Sequence, residues 1–456
     1  MMNYTQTDKF VDYVFQFENE EISEKIKEEA KLCILDYLGV AFAGAKLCGS
    51  SLTPYISNCE RGSSTIIGYG ERVSLQNAAF INGFTAHSTE LDDGQRTGQI
   101  HLGAVIMPAL LAVADAKELS GENIIRGICA GYEAAILLSS TMQPSHRAQG
   151  YHTTGTCGTI GAAIGIAVAL SFSKKQIKTV LSSAVTSASG ILEILEDSSE
   201  LKPYNCARAA MDGLTAGMMG FTELTSPNDI LSGDRGLFSV MSDNNKPIIN
   251  YNVDGAYAIM TIYRKIHASC RHTHPAIEAI LELRRENEIE IPDIKSIVVY
   301  TYHEGIKGHN HTIISGQESA KMSVPYAVAV ALLNQNVGID AFSDELIHNT
   351  ELQNLIHKIT INEDENLTRM SRLHRGSRVE IHMNNGVKHV KQVDYPLGEP
   401  ENPLGKEGII RKYKSLMTYS NIDNELVENI LNAVENIELD SRNLFRLLSR
   451  EQIIDG

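Results

Sequence analysis

The run Gln149-Gly150-Tyr151-His152-Thr153-Thr154-Gly155-Thr156-Cys157-Gly158-Thr159-Ile160-Gly161-Ala162-Ala163-Ile164-Gly165-Ile166-Ala167-Val168-Ala169-Leu170-Ser171-Phe172-Ser173 is the longest uncharged stretch of the chain. Length alone would suit a membrane span. His152, several threonines and five glycines interrupt its apolar character, so it reads as a helix buried in protein. Gly158, Gly161 and Gly165 recur at helical spacing and leave room for another helix to approach closely. A helix buried all round needs helical neighbours, and the flanking sequence supplies them. From Ile22-Ser23 to Phe42, residues Ile26, Ala30, Cys33, Ile34 and Leu38 repeat at steps of three and four, and Ala104 to Leu119 continues that period. Ser120-Gly121-Glu122 ends one helix and starts the next, over Glu122 to Ser140. The region from about residue 20 to 240 therefore reads as helix after helix, with strand patterns scarce.

The pattern changes after Lys265. Ile294 to Tyr300 and Arg378 to Met383 are β-branched and partly alternating, which predicts strands. Asn384-Asn385-Gly386 is a turn signal, with Val387 to Val393 as the hairpin partner. Helices are expected over Thr273 to Glu286 and Ala320 to Asn334. Glu399-Pro400-Glu401-Asn402-Pro403 breaks the chain, and Lys406 to Leu447 is helical again. The expected fold is mainly α. A large helical domain is built from residues 1–263 and a returning C-terminal segment, 398–456, with a smaller α+β domain, 264–397, inserted between them. The 456 residues exceed what one core usually serves. There is no solenoid-type repeat and no low-complexity tract.

Composition narrows the function classes. With 43% hydrophobic and 21% charged residues the chain is an ordinary soluble globular protein. A net charge of −16 argues against broad nucleic-acid or anionic-membrane binding. The seven cysteines form no CxxC pair and no zinc-finger spacing. Together with an N-terminus that lacks a signal pattern, they fit reduced thiols in the cytoplasm. No P-loop, GxGxxG after a strand or nucleophile elbow is present, and no cofactor is expected.

Against this acidic background, four short blocks concentrate cations and proton carriers. The first runs from Asn82-Gly83 through His87, Glu90, Asp92, Asp93 and Arg96 to His101. If it is helical, His87, Glu90 and Asp93 share a face at three-residue steps, although an acidic helix end has the same pattern. His101 precedes an apolar helix, as a capping residue or as an imidazole suited to move a proton. His152 opens the Gly-rich helix, where free N–H groups favour a carboxylate; a structural cap is the competing account. Lys202 precedes Pro203 at a helix start, where its ammonium can project into a cleft. The last block, Lys265 to Pro275, brings Lys265, Cys270, Arg271, His272 and His274. The His267, His272 and His274 spacings do not place three ligands on one helical face, so no metal is expected. Lys265 and Arg271 suit the neutralisation of carboxylates, with His272 or His274 orienting them. Nearby cations would lower the thiol pKa of Cys270.

Taken together these blocks resemble the MmgE/PrpD family, whose members include 2-methylcitrate dehydratase, cis-aconitate decarboxylase and iminodisuccinate epimerase. The resemblance also rests on Ala320-Lys321-Met322-Ser323-Val324-Pro325-Tyr326 and Asn402-Pro403-Leu404. It implies the two-domain layout, a homodimer, a cleft active site and a small polycarboxylate substrate. It further implies that His101 and His152 handle protons, that Glu90 and Asp93 orient them, and that Lys202, Lys265, Arg271, His272, His274, Tyr326 and Arg96 bind substrate, with Cys270 also catalytic. The chain departs from the family pattern at Glu90, which replaces an Asp, at Leu102, which follows His101 in place of Pro, and at Gly94 and Cys270, where cis-aconitate decarboxylase carries Thr and a catalytic His. The departures at Gly94 and Cys270 favour lyase or isomerase chemistry over decarboxylation, and the expected activity is a cofactor-independent lyase that dehydrates a hydroxylated di- or tricarboxylic acid such as 2-methylcitrate or citrate. Epimerisation of a dicarboxylate is the alternative and cis-aconitate decarboxylation ranks third.

Overall fold

A computed structural model describes residues 4–196, 199–244, 247–251 and 257–449. The first part contains α1 (Gln6–Asn19), α2 (Glu24–Ile56), β1 (Arg61–Thr65), β2 (Arg72–Val73), α3 (Leu75–Ser88), α4 (Gly103–Lys117) and α5 (Gly121–Met142). It continues with α6 (Ser145–Ala148), α7 (Thr153–Ala169), α8 (Lys174–Ser187), α9 (Lys202–Met218) and α10 (Leu237–Met241).

The Gly-rich stretch folds as α7, and every one of its residues is buried. Its glycines do what their spacing predicts. A Cβ on Gly161 would sit 2.7 Å from the Gly131 carbonyl oxygen, and one on Gly165 2.7 Å from that of Gly127. Gly127 and Gly131 of α5 meet α7 in the same reciprocal way, so the two backbones touch. On another side, Gly213 of α9 lies against the Thr159 carbonyl. The close packing holds the start of α7, where His152 sits, rigidly beside the start of α9, where Lys202 sits.

A longer apolar helix is α2, which runs beyond Phe42 to Ile56. By length and composition alone it could cross a membrane, but 78% of its apolar window is buried inside the protein. Gly44 lies against the Thr85 carbonyl of α3. The two-stranded ribbon β1–β2 was not foreseen; its Arg-Gly-Ser-Ser-Thr sequence is neither alternating nor apolar.

The later part contains α11 (His274–Glu286), β3 (Ile294–Thr301), α12 (Gln317–Met322), α13 (Val324–Asn334), α14 (Asp344–Ile347), α15 (Thr350–Ile356), β4 (Ile359–Glu363), α16 (Glu365–Met370), β5 (Ser377–Met383) and β6 (Lys388–Val393). The sheet order is β4-β3-β5-β6. The β5–β6 hairpin forms across Gly386, whose φ of +86° suits glycine. Strand β4 escaped the sequence reading because Ile-Thr-Ile-Asn-Glu is short and ends polar; it joins β3 in parallel.

The chain then returns through α17 (Gly405–Tyr419), α18 (Asn424–Glu435) and α19 (Ser441–Leu448). Helix α17 lies along α2: a Cβ on Gly39 would meet Leu416 and Tyr413 at 3.2–3.3 Å. Lys412 Nζ reaches Asp36 at 2.7 Å and the Leu91 carbonyl at 2.6 Å. Backbone bonds Gly94 N to Tyr263 O and Tyr263 N to Gly94 O clamp the acidic loop after α3 onto the segment leading to Lys265.

Candidate active site

Helix α3 ends at Ser88, and Glu90 adopts φ +55°. The chain therefore turns away from the helical course that would have put His87, Glu90 and Asp93 on one face. The three carboxylates of this loop take three different partners.

Glu90 is buried and accepts from two ammonium groups. Oε1 binds Lys202 Nζ, and Oε2 binds Lys265 Nζ at 3.0 Å. Burial alone would push the Glu90 carboxyl up, but Lys202 and Lys265 hold it well below its usual range. Burial likewise opposes charge on both lysines, and Glu90 outweighs it, leaving both raised and protonated. Two buried positive charges thus share one negative charge. Glu90 does not orient the histidines, as the family resemblance implies; it fixes the cations.

Asp93 does not orient them through its carboxylate either. That group accepts from Gly103 N at 2.7 Å, Leu102 N at 3.3 Å and the Tyr132 hydroxyl at 2.7 Å, and so caps α4. The orienting carboxylate is Asp92. Its Oδ2 lies 2.8 Å from His87 Nδ1 and 3.2 Å from His101 Nδ1. His101 Nδ1 is also 2.9 Å from the Asp93 carbonyl, an acceptor only. The proton of the neutral ring is therefore on Nδ1, and the Nε2 lone pair is free to accept one. Burial lowers the His101 pKa, with Asp92 opposing, so the ring rests neutral.

His152 is set in the opposite tautomer. Its side chain makes no cap at α7. Nδ1 accepts from Asn205 Nδ2 at 3.0 Å, and the same amide nitrogen is 3.5 Å from the Ile191 carbonyl. The proton then lies on Nε2, as a donor. Burial holds the His152 pKa well below its usual value, so this ring stays neutral and donates hydrogen bonds.

Cys270 comes from the sheet-bearing part. Its backbone N–H donates to the Lys321 carbonyl, and the Lys321 side chain reaches the Ser88 carbonyl at 3.1 Å, tying α12 to the end of α3. Cys270 Sγ lies 3.9 Å from His309 Nε2, and His309 Nδ1 donates to the Met322 carbonyl at 2.8 Å. Burial pushes the thiol up, but His309 and Lys202 prevail and hold it at about 6. His272 lies beside His309 with ring centroids 4.9 Å apart and ring planes tilted by 32°, its Nδ1 bonded to the Tyr302 hydroxyl.

The remaining residues expected at the site are committed elsewhere. Arg271 gives Nε and Nη2 to Glu399 Oε1 at 3.0 and 2.9 Å and reaches the Pro396 and Leu397 carbonyls. Arg96 binds Glu399 Oε2 at 2.8 Å and Glu401 at 2.6 Å. The two arginines hold the turn after β6 and have no free charge for a substrate. His274 accepts from Arg271 at 2.9 Å and faces the Ser269 carbonyl at 3.4 Å, so both nitrogens are used. Tyr326 is fully buried in the hydrophobic core, its hydroxyl donating to the Ala341 carbonyl at 2.8 Å, and presents no phenol to a cleft.

In place of these, two guanidiniums that sequence reasoning passed over bear on the site. Arg147 and Arg375 act electrostatically on His272, and Arg147 also acts on His152 and His309. Neither has an acidic partner among the described residues. Nothing in the sequence marks them. Asn205, by contrast, stands three residues after Lys202 on one helix, a same-face signal that could have been used. His309 lies in the tract His309-Asn310-His311, which could also have drawn notice.

Two trios bring potential metal donors within 4.8 Å of one another: His87, Asp92 and His101, and Cys270, His272 and His309. In the first, Asp92 is already engaged by both imidazoles. The second is faced by Lys202, Arg147 and Arg375, whose charge favours an anion over a dication.

Two family comparisons cover almost the whole chain: the MmgE/PrpD N-terminal domain matches residues 8–249, and the MmgE/PrpD C-terminal domain matches residues 267–439. The chain belongs to the MmgE/PrpD family. Among similar family members is the cis-aconitate decarboxylase of Aspergillus terreus, 26% identical over 87% of this chain and 86% of that protein. The human cis-aconitate decarboxylase is 21% identical over 96% of this chain and 93% of its own length. The Lys202–Glu90–Lys265 cluster and His101 of this MmgE/PrpD protein all fall within the two matched regions apart from Lys265, which lies two residues before the second.

Proposed function

We propose that this MmgE/PrpD protein is a cofactor-independent lyase that acts on a di- or tricarboxylic acid by moving a proton on a carbon next to a carboxylate. The observation that carries the reading is the pair of buried lysines sharing Glu90, beside an imidazole with an open Nε2. A carboxylate acidifies its neighbouring carbon weakly, so removing that proton requires stabilising a dianion. Preorganised ammonium groups in a site sheltered from water do this at no reorganisation cost. Lys202 and Lys265 hold the substrate carboxylate, and His101 Nε2 takes the proton. His152 donates a hydrogen bond from Nε2–H to the oxygen on which charge develops.

Dehydration of a hydroxylated acid such as 2-methylcitrate or citrate is the primary assignment. Decarboxylation of cis-aconitate is the second reading, supported by the relatives that carry that name. Proton NMR in deuterated water with 2-methylcitrate, citrate, cis-aconitate and substituted succinates separates the outcomes. An alkene formed with loss of water, or its hydration, supports the dehydratase. An unsaturated dicarboxylate formed from cis-aconitate with loss of one carboxyl group supports the decarboxylase. Deuterium entering an unchanged skeleton replaces both by an epimerase, and no change in any compound overturns the reading.

A further inference from the structure

Apart from the proton that His101 itself picks up from the substrate, the chemistry just described has no donor. His101 rests neutral and takes a proton. His152 rests neutral too, and the Nε2–H of a neutral imidazole hydrogen-bonds without releasing its proton near pH 7. An elimination must protonate the departing hydroxyl, and an isomerisation or decarboxylation must protonate carbon.

We propose that Cys270 and His309 form a thiolate–imidazolium pair that is the second proton carrier of the site, supplied by the sheet-bearing part to work against His101 of the helical part. This assignment rests on the lyase reading for its substrate and on separate geometry for its residues. Sγ stands 3.9 Å from His309 Nε2. The Met322 carbonyl, 2.8 Å from His309 Nδ1, accepts a proton and cannot give one, so Nδ1–H is fixed and Nε2 faces the sulfur. The charged groups that act on Cys270 from the surrounding elements include His309, Lys202 and Glu90, the neutral His272 ring brings a nitrogen within 4.8 Å of the pair, and the charge of Cys270 acts in turn on Lys265, Arg147 and Tyr302. Cations outnumber anions in that set, which favours the thiolate. Burial lowers the charge on His309, and the Cys270 thiolate more than restores it. Lys265 responds to both Asp92 and Cys270, so one ammonium stands within electrostatic reach of both proton stations.

The step balances. The substrate C–H bond breaks as N–H forms at His101 Nε2, and the electron pair moves into the new double bond. The C–O bond breaks, and the departing hydroxyl takes the proton held on His309, passed through Sγ, and leaves as water. The pair ends as thiolate and neutral imidazole, and His101 ends as the imidazolium; solvent exchange resets both. Cys270 is the catalytic residue, and His309 is a positioning and proton-holding residue acting through it.

The test has a part that needs no substrate. Alkylation of Cys270 by iodoacetamide, followed by peptide mass spectrometry against pH, should rise with a midpoint at about 6 in the wild type. In His309→Asn, whose amide can still donate to the Met322 carbonyl, the midpoint should move to about 8 or above, the range of an ordinary thiol. A wild-type midpoint already in that range overturns the pair whatever the enzyme turns over. With a substrate found in the carboxylate panel, Cys270→Ser should lose about 100-fold or more in kcat while retaining His101-dependent exchange of the α-hydrogen with deuterated water. Full conversion by Cys270→Ser overturns the pair's role and leaves the lyase reading standing. A wild type that converts nothing in the panel overturns the lyase reading and the pair's role with it, while the alkylation profile still decides whether the pair exists.

Discussion

Replacing Glu90 by Gln tests the cation cluster most directly. The change is isosteric and leaves the residue at the same φ of +55°, so backbone strain is nearly constant and the charge is what changes. Glu90 and Lys265 are both almost fully buried, at 2% and 1% exposure. Removing one partner of a buried ion pair strands the other in a poor solvent and costs about 3–5 kcal/mol. Here one carboxylate serves two ammonium groups, which places the expected loss toward the upper end. At roughly 2 °C per kcal/mol for a large domain, the melting temperature should fall by about 10 °C.

The sign with pH follows from the direction of the shift. The Glu90 carboxyl is held below its ordinary value of 4.5, so its stabilisation is fully present above that pH and is lost as pH falls through the depressed value. The gap between wild type and Glu90→Gln should be widest at neutral pH and close in acid. A polycarboxylate ligand should rescue the variant more than the wild type, because it supplies the anion the lysines have lost. Thermal unfolding at pH 7 and at lower pH, with and without citrate, reads all three. A variant within about 0.5 kcal/mol of wild type at pH 7, the range of an ordinary surface substitution, would refute the shared buried carboxylate and the function built on it.

Other substitutions separate residues that act on substrate from residues that hold the frame. Asp92→Asn should lower kcat by about 100-fold or more with normal folding, since the carboxylate that orients His101 is gone; turnover beside a circular dichroism spectrum checks it. Asn205→Leu should cost about tenfold or more in kcat by freeing the His152 tautomer, and the shift of its ring protons by NMR would report the change directly. Arg271→Gln should lose about 1.5–3 kcal/mol of stability with its charge-assisted hydrogen bonds to Glu399, which keeps Arg96 as its remaining cation, and leave KM close to wild type. Tyr326→Phe should lose about 1 kcal/mol with its hydrogen bond to Ala341 and show unchanged kinetics.

The helical frame was legible because burial imposes a pattern that survives in one dimension. Glycines three and four apart in α7 announce a touching helix before that helix is known, and Gly127 and Gly131 of α5 carry the matching gaps. Strand β5 and its hairpin were legible through alternation and Asn-Gly. Strand β4 was not, because a short segment at the edge of a sheet has little burial to record. Lys202, Lys265, His101 and His152 were found by type and company. Their partners were harder, because a partner is set by where the chain turns.

The loop from Glu90 to Asp93 shows why. Helical spacing puts Glu90 and Asp93 with His87, and the composition of the loop gives no reason to prefer Asp92. One residue in the left-handed region, immediately after α3 ends, redirects the chain and redistributes the roles: Glu90 goes to the lysines, Asp92 to the histidines and Asp93 to the N-terminus of α4. The same logic explains Arg271. An arginine among histidines looks available for a substrate until Glu399, more than a hundred residues later, is brought 2.9 Å away. A cation free to bind substrate is one whose acidic partner is missing or shared, and only the folded chain distinguishes these cases. Lys202 and Lys265 share theirs, which leaves the cluster with a net positive charge that a substrate carboxylate can meet without displacing anything.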